Sequence, residues 1–179
     1  LALCACSTLG LAPQAPPGPR PLAELDGDIA AVVLAVDLPP GVLPVPEQSR
    51  FTLDVNAGSA GARHASAALM LADGDSVDGE LAPPAKGRSY YLLGLSDADR
   101  QSLRAILAWA RAARSGGATP AFAVALQPAF CATGALDPAR LTFSVRPVLP
   151  GAGEFAPLIA DEPLSATLPA GAVVLPACR

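Results

Sequence analysis

One histidine, one lysine, one tryptophan and an aromatic content of 4% leave this chain short of the side chains from which reactive centres are usually built. Sugar sites offer stacking rings, and Tyr90, Tyr91 and Trp109 are nearly the whole supply, so a carbohydrate-active domain is poorly provided for. No GxSxG surrounds a serine. A Ser-His-Asp hydrolase would therefore have to use His64 with Ser59 or Ser66, outside any nucleophile elbow. Neither a phosphate-cradling Gly loop nor a CxxC redox motif is present, and the sequence implies no cofactor. Asp161 and Glu162 are the nearest approach to a catalytic carboxylate pair. They are adjacent, face opposite sides of an extended chain, and beside Pro163 read as a solvated turn. A formal net charge of -4, without a basic patch interleaved with aromatics, argues against a nucleic-acid partner.

What the chain has instead is 20 prolines and 16 glycines in 179 residues, which favours one domain of short elements joined by many turns. One long segment carries a helical period, and it lies within 95–117. Ser96 supplies an N-cap hydroxyl, and Asp97 and Asp99 place carboxylates against the positive end of the helix dipole. Leu103, Ile106, Leu107, Ala110 and Ala113 recur at three- and four-residue steps and make one apolar stripe. Gly116 and Gly117 supply the stop. At about 100° per residue Arg100, Arg104, Arg111 and Arg114 fall within roughly 80° of one another, beside that stripe. Such a face could meet an anionic surface or a protein partner, but a plain solvated face is the simpler reading. Trp109 stands off the stripe, either packed at the edge of the core or exposed as an anchor for a partner.

The other apolar runs are strand-like. Residues 29–36 form an unbroken apolar run, which suits a strand covered on both faces. Residues 50–56 alternate, with Phe51, Leu53 and Val55 on one side. Strands are also expected at 65–72, 89–93, 122–126, 141–145, 158–160 and 172–175. About eight short strands and one helix, near 96–115, predict a mainly β fold, an antiparallel β-sandwich with the amphipathic helix inserted in a crossover.

The acidic stretch 73–80 has some metal-ligand character, since Asp73, Asp75, Asp78 and Glu80 could offer oxygens to Ca²⁺. An EF-hand match fails: Val77 takes the third ligand position and the bidentate Glu is missing. A solvated hairpin loop explains the composition more simply, and no metal site is expected.

The best information concerns address. Leu3-Cys4-Ala5-Cys6 resembles the lipobox of bacterial envelope lipoproteins, with Leu3 at the large apolar position, Ala5 at the small one and Cys6 as the lipidated residue. Cys4 departs from the usual residue at its position. A buried apolar terminus is the alternative, and a Cys-x-Cys metal site lacks its other ligands. The resemblance implies a signal-peptide remnant and lipidation site in 1–6. Ser7, rather than Asp, after the lipidated cysteine implies an outer-membrane destination. Residues 7–26, rich in Pro, then read as an extended tether of about 3 Å per residue, ahead of a single globular domain over 27–179. With Cys4 removed alongside the signal peptide, Cys131 and Cys178 are left as an even pair, either a disulfide of an oxidising compartment or two buried thiols.

Anchor, spacer and missing catalytic groups together imply a lipid-anchored, non-enzymatic protein of the bacterial envelope, facing the periplasm or the surface. It would serve as a binding or accessory subunit, with the membrane and another envelope protein as its partners. Two competing readings are an envelope hydrolase or carbohydrate-active domain whose site forms only in three dimensions, and a solute- or Ca²⁺-binding module using the 73–80 loop.

Overall fold

A computed structural model describes residues 29–73, 81–149 and 156–178. Cys6, the tether at 7–26, and Asp75, Asp78 and Glu80 lie outside the described residues. The fold is mainly β and antiparallel, with a single α-helix among the described residues. Nine strands are present among the described residues: β1 (Val33–Leu38), β2 (Val42–Pro44), β3 (Arg50–Asn56), β4 (Ala62–Leu71), β5 (Ser89–Leu95), β6 (Ala121–Gln127), β7 (Phe130–Ala132), β8 (Thr142–Val148) and β9 (Ile159–Pro163). The helix α1 (Asp97–Ser115) lies between β5 and β6. It does not have the length and apolarity needed to cross a membrane.

Seven strands form one sheet in the order β6-β3-β4-β5-β1-β8-β9, and β2 pairs with β7 in a small second sheet. The long strand β4 turns the corner. Its residues from Ala62 to Ala68 pair with β3, while Leu69, Met70 and Leu71 pair with Leu95, Gly94 and Leu93 of β5. One strand thus belongs to two layers, the device by which a sheet bends over to cover itself. The two edges, β6 and β9, consequently border the same cavity, which Leu126 and Gln127 line from one side and Ile159 and Glu162 from the other.

Between the layers Phe51, Leu53 and Val55 of β3 meet Leu34, Val36 and Leu38 of β1 and Phe143 and Val145 of β8 in one buried cluster. The alternation in 50–56 is what places those three side chains together. The apolar run at 29–36 is covered on both faces as expected, but it starts differently. Ile29–Ala31 is a 3₁₀ turn, and the strand runs on to Leu38. The second face of β1 carries Val33 and Ala35 against Val148, Leu92 and Leu81.

The helix closes one side of the core with Leu103, Leu107 and Ala110 buried. Burying each leucine stabilises the fold by about 2 kcal/mol. Ser96 caps it reciprocally: its Oγ accepts from the Asp99 N–H at 3.2 Å and donates to the Asp99 carboxylate at 2.6 Å. At the other end Gly117 takes φ +91° and the Ala118 N–H closes on the Ala113 carbonyl at 3.0 Å.

Two expectations fail locally. Residues 172–175 are not a strand: Gly171, at φ +85°, turns the chain, and Val173 and Val174 are exposed while only Leu175 is buried. Asp161 and Glu162 lie in strand β9, not in a turn.

Candidate functional site

Cys131 of β7 and Cys178 form a disulfide, with Cα atoms 4.9 Å apart across 47 residues of sequence. Backbone pairing holds them in place. The Ala132 N–H donates to the Pro176 carbonyl at 2.8 Å, and the Cys178 N–H donates to the Ala132 carbonyl at 3.0 Å. The C-terminal segment is therefore fastened to the small sheet both covalently and through its backbone.

The four arginines of α1 divide. Arg104, Arg111 and Arg114 are exposed on one side of the helix, whereas Arg100 is only 33% exposed and turns towards the sheet. Its Nη1 lies 3.6 Å from Asp97, and its Nη2 lies 3.6 Å from the point where a Cβ on Gly94 would stand. Trp109 is half-buried against the core, and the Arg63 guanidinium stacks over its ring at 4.8 Å from the centroid. Of its two expected roles the packed one is observed. The helix sequence contains nothing that points to Arg63, because that contact arises across the fold.

His64 pairs with Asp54 directly across the β3–β4 ladder, Nδ1 to Oδ1 at 2.7 Å. Ser66 is two residues further along β4, and Ser59 is in the 3₁₀ turn Gly58–Ala60. The pair resembles part of a hydrolytic triad in its contact but not in its setting. Both side chains are about 60% exposed on an open sheet face, whose register brings Ala123 beside Asp54. An open face neither excludes water nor holds a substrate against the imidazole. Of the acidic stretch only Asp73 is described; it lines a cavity with Arg100, Met70 and Leu71. Among the described residues no three of His, Cys, Asp and Glu gather as metal ligands. Asp161 accepts from the Ser144 hydroxyl at 3.3 Å, and Glu162 borders the cavity between the two sheet edges.

Those edges are built differently. β9 is five residues long, carries Asp161, Glu162 and Pro163, and pairs with β8 through a register shift between Phe143 and Val145. Asp161 adopts φ +47°, further breaking its regularity. Acid, proline and irregularity are the usual defences of a sheet edge. β6 reads AFAVALQ: seven residues with no charge and no proline, in unbroken register with β3 from Ala121↔Asn56 to Gln127↔Arg50. No other described strand pairs with it. Phe122, Val124 and Leu126 pack against the core yet remain half-buried. The uncharged run was legible in the sequence, but its place at the edge follows from strand order alone. No protein-family model, curated protein or solved structure matches the chain.

Proposed function

We propose that this chain is a lipid-anchored, non-enzymatic protein of the bacterial envelope that docks onto a larger assembly through β6. The observation that carries the reading is the unequal treatment of the two sheet edges. β9 has acids, a proline and a bulge, whereas β6 is regular and uncharged. Unpaired N–H and C=O groups along a regular edge form a template for another strand, and strand addition is a recurrent mode of recognition. The partner this edge suits is an extended segment alternating apolar and small side chains, which would lengthen the sheet and cover Phe122, Val124 and Leu126. Acidic groups on the same partner would suit Arg104, Arg111 and Arg114 of α1.

Two features support the address. The Cys131–Cys178 disulfide suits an oxidising compartment. The lipobox resemblance at Leu3-Cys4-Ala5-Cys6 supplies an anchor, the Pro-rich 7–26 a spacer, and Ser7 an outer-membrane destination. Mild-detergent extraction from native membranes through a C-terminal tag tests anchor and assembly together. The expected result is an acylated Cys6 at the mature N-terminus and a companion protein in constant ratio. An unmodified, solitary chain would contradict both parts.

A further inference from the structure

The pattern of β6 reads nearly the same in both directions. Large apolar side chains stand at Phe122, Val124 and Leu126, and Ala121, Ala123 and Ala125 alternate with them, so the run is symmetric about Val124 until Gln127 ends it. Pro120 and Pro128 bound it at equal distances from that centre. A strand of this kind offers an antiparallel neighbour the same surface that it asks for. That is the condition for a two-fold, isologous contact between copies.

The same pattern selects one register. Opposed side chains of a ladder share a face of the sheet, so a slide of one residue would set Phe122, Val124 and Leu126 of one copy among the exposed alanines of the other. A slide of two residues shortens the ladder and brings Pro120 opposite Leu126 or Pro128 opposite Phe122, and proline has no N–H to give. Val124 opposite Val124 pairs the whole strand. Phe122 then faces Leu126, Ala123 faces Ala125 and Ala121 faces Gln127. The β3 register extends each row: on the core side Phe51, Leu126, Phe122, Val55 and Leu53, Val124, Val124, Leu53, with buried side chains of β3 at both ends. On the other side the rows are Arg50, Gln127, Ala121, Asn56 and Thr52, Ala125, Ala123, Asp54, and neither holds two charges of one sign. Phe122 of the second copy arrives beside Leu126, at the cavity of about 550 Å³ that Leu126 lines with Phe143, Ile159 and Leu168.

We propose that the β6 edge is occupied by β6 of a second copy of this chain, antiparallel, with Val124 on the two-fold axis. The inference rests on the reading of β6 as an offered edge and names its occupant. The two sheets then run on into one another, and an apolar layer continues from core to core. Growth stops at two copies, because the outer edges of the joined sheet are the two β9 strands, with their acids, proline and register shift.

Sedimentation of the purified full chain in mild detergent tests the proposal at about 100 µM, where a pair of micromolar affinity is mostly formed. A dimer is expected. Ala123→Lys should weaken it about fivefold or more, because the two new lysines are diagonal neighbours across the axis. Adding Ala125→Glu should restore it, because each lysine then faces a glutamate of the other copy. A monomer at that concentration overturns the proposal, as does a dimer that Ala123→Lys leaves intact or that the double variant fails to restore. Where Ala123→Lys does not fold, Ala125→Glu alone takes its place, since its two glutamates are diagonal across the same axis. Crosslinking from position 125 in native membranes separates this failure from that of the edge reading. A different protein captured there by a chain that is monomeric when purified removes the second copy and keeps β6 as a docking edge; no capture and a monomer remove both.

Discussion

Ser49 is the one wholly buried polar side chain among the described residues, and it joins three pieces of chain. Its hydroxyl donates to the Val45 carbonyl at 3.0 Å and accepts from the Ala129 N–H at 3.0 Å, while its own carbonyl accepts from the Leu69 N–H at 3.2 Å. The Ser49→Ala variant keeps the shape and strands the Ala129 N–H in the interior. We expect a loss of about 1–3 kcal/mol in urea unfolding; a change too small to resolve would mean that the hydroxyl is not what holds β3 to the segment before β7. Arg100 is the other residue whose surroundings decide its role. In the sequence it falls within roughly 80° of Arg104, Arg111 and Arg114, beside the apolar stripe. Its partner in that turn is Gly94, two residues before the Ser96 cap, whose missing side chain leaves room for the guanidinium; no spacing rule announces that contact.

At the scale of elements, legibility followed how local the determinants were. The helix was readable end to end, because Ser96, the apolar spacing and the two glycines all act within a few residues. β3 was readable because one face is buried and the other wet, which imposes a strict alternation. β2 and β7 were not, since three residues carry no period, and they form only because they pair with each other. The run 172–175 misled for a related reason: its valines are apolar, but the turn at Gly171 points them outward. Arg88 shows how elements are fastened where no pattern announces it. Its Nε donates to the Asp37 carboxylate at 2.9 Å, and its Nη2 donates to the carbonyls of Asp37 and Thr142 at 3.0 Å each, joining the start of β5 to β1 and β8. Both side chains are about four-fifths covered. Arg88→Met should therefore destabilise by about 2–4 kcal/mol, leaving Asp37 without its cation. A chemical-denaturation midpoint equal to that of the unaltered chain would contradict that account.

For the whole molecule the disulfide is the long-range constraint. It closes 47 residues that include β8 and β9, and in the loop-entropy picture such a closure stabilises by about 2–4 kcal/mol. Unfolding with and without a reductant should show a lower midpoint when Cys131 and Cys178 are reduced, and the Cys131→Ser/Cys178→Ser double variant should reproduce it without reductant. Coincident transitions would assign the hold on the C-terminal segment to its backbone bonds alone. In the sequence these two cysteines could equally have been buried thiols; it is the fold, which brings their Cα atoms to 4.9 Å, that decides for the disulfide. The exposure of β6 was not legible either, because whether a strand is an edge is a property of the complete sheet.

The same whole-molecule property carries the central claim, that one edge is guarded and the other is offered. A photo-crosslinking residue in place of Ala125 on β6, compared with one in place of Ala160 on β9, tests this in native membranes; both positions are exposed. The account predicts a discrete crosslinked companion from position 125 and none from 160, with loss of the companion when Ala123→Lys places a charge on the β6 edge of a chain that still melts normally. Equal crosslinking from both edges, or none from position 125, would contradict it.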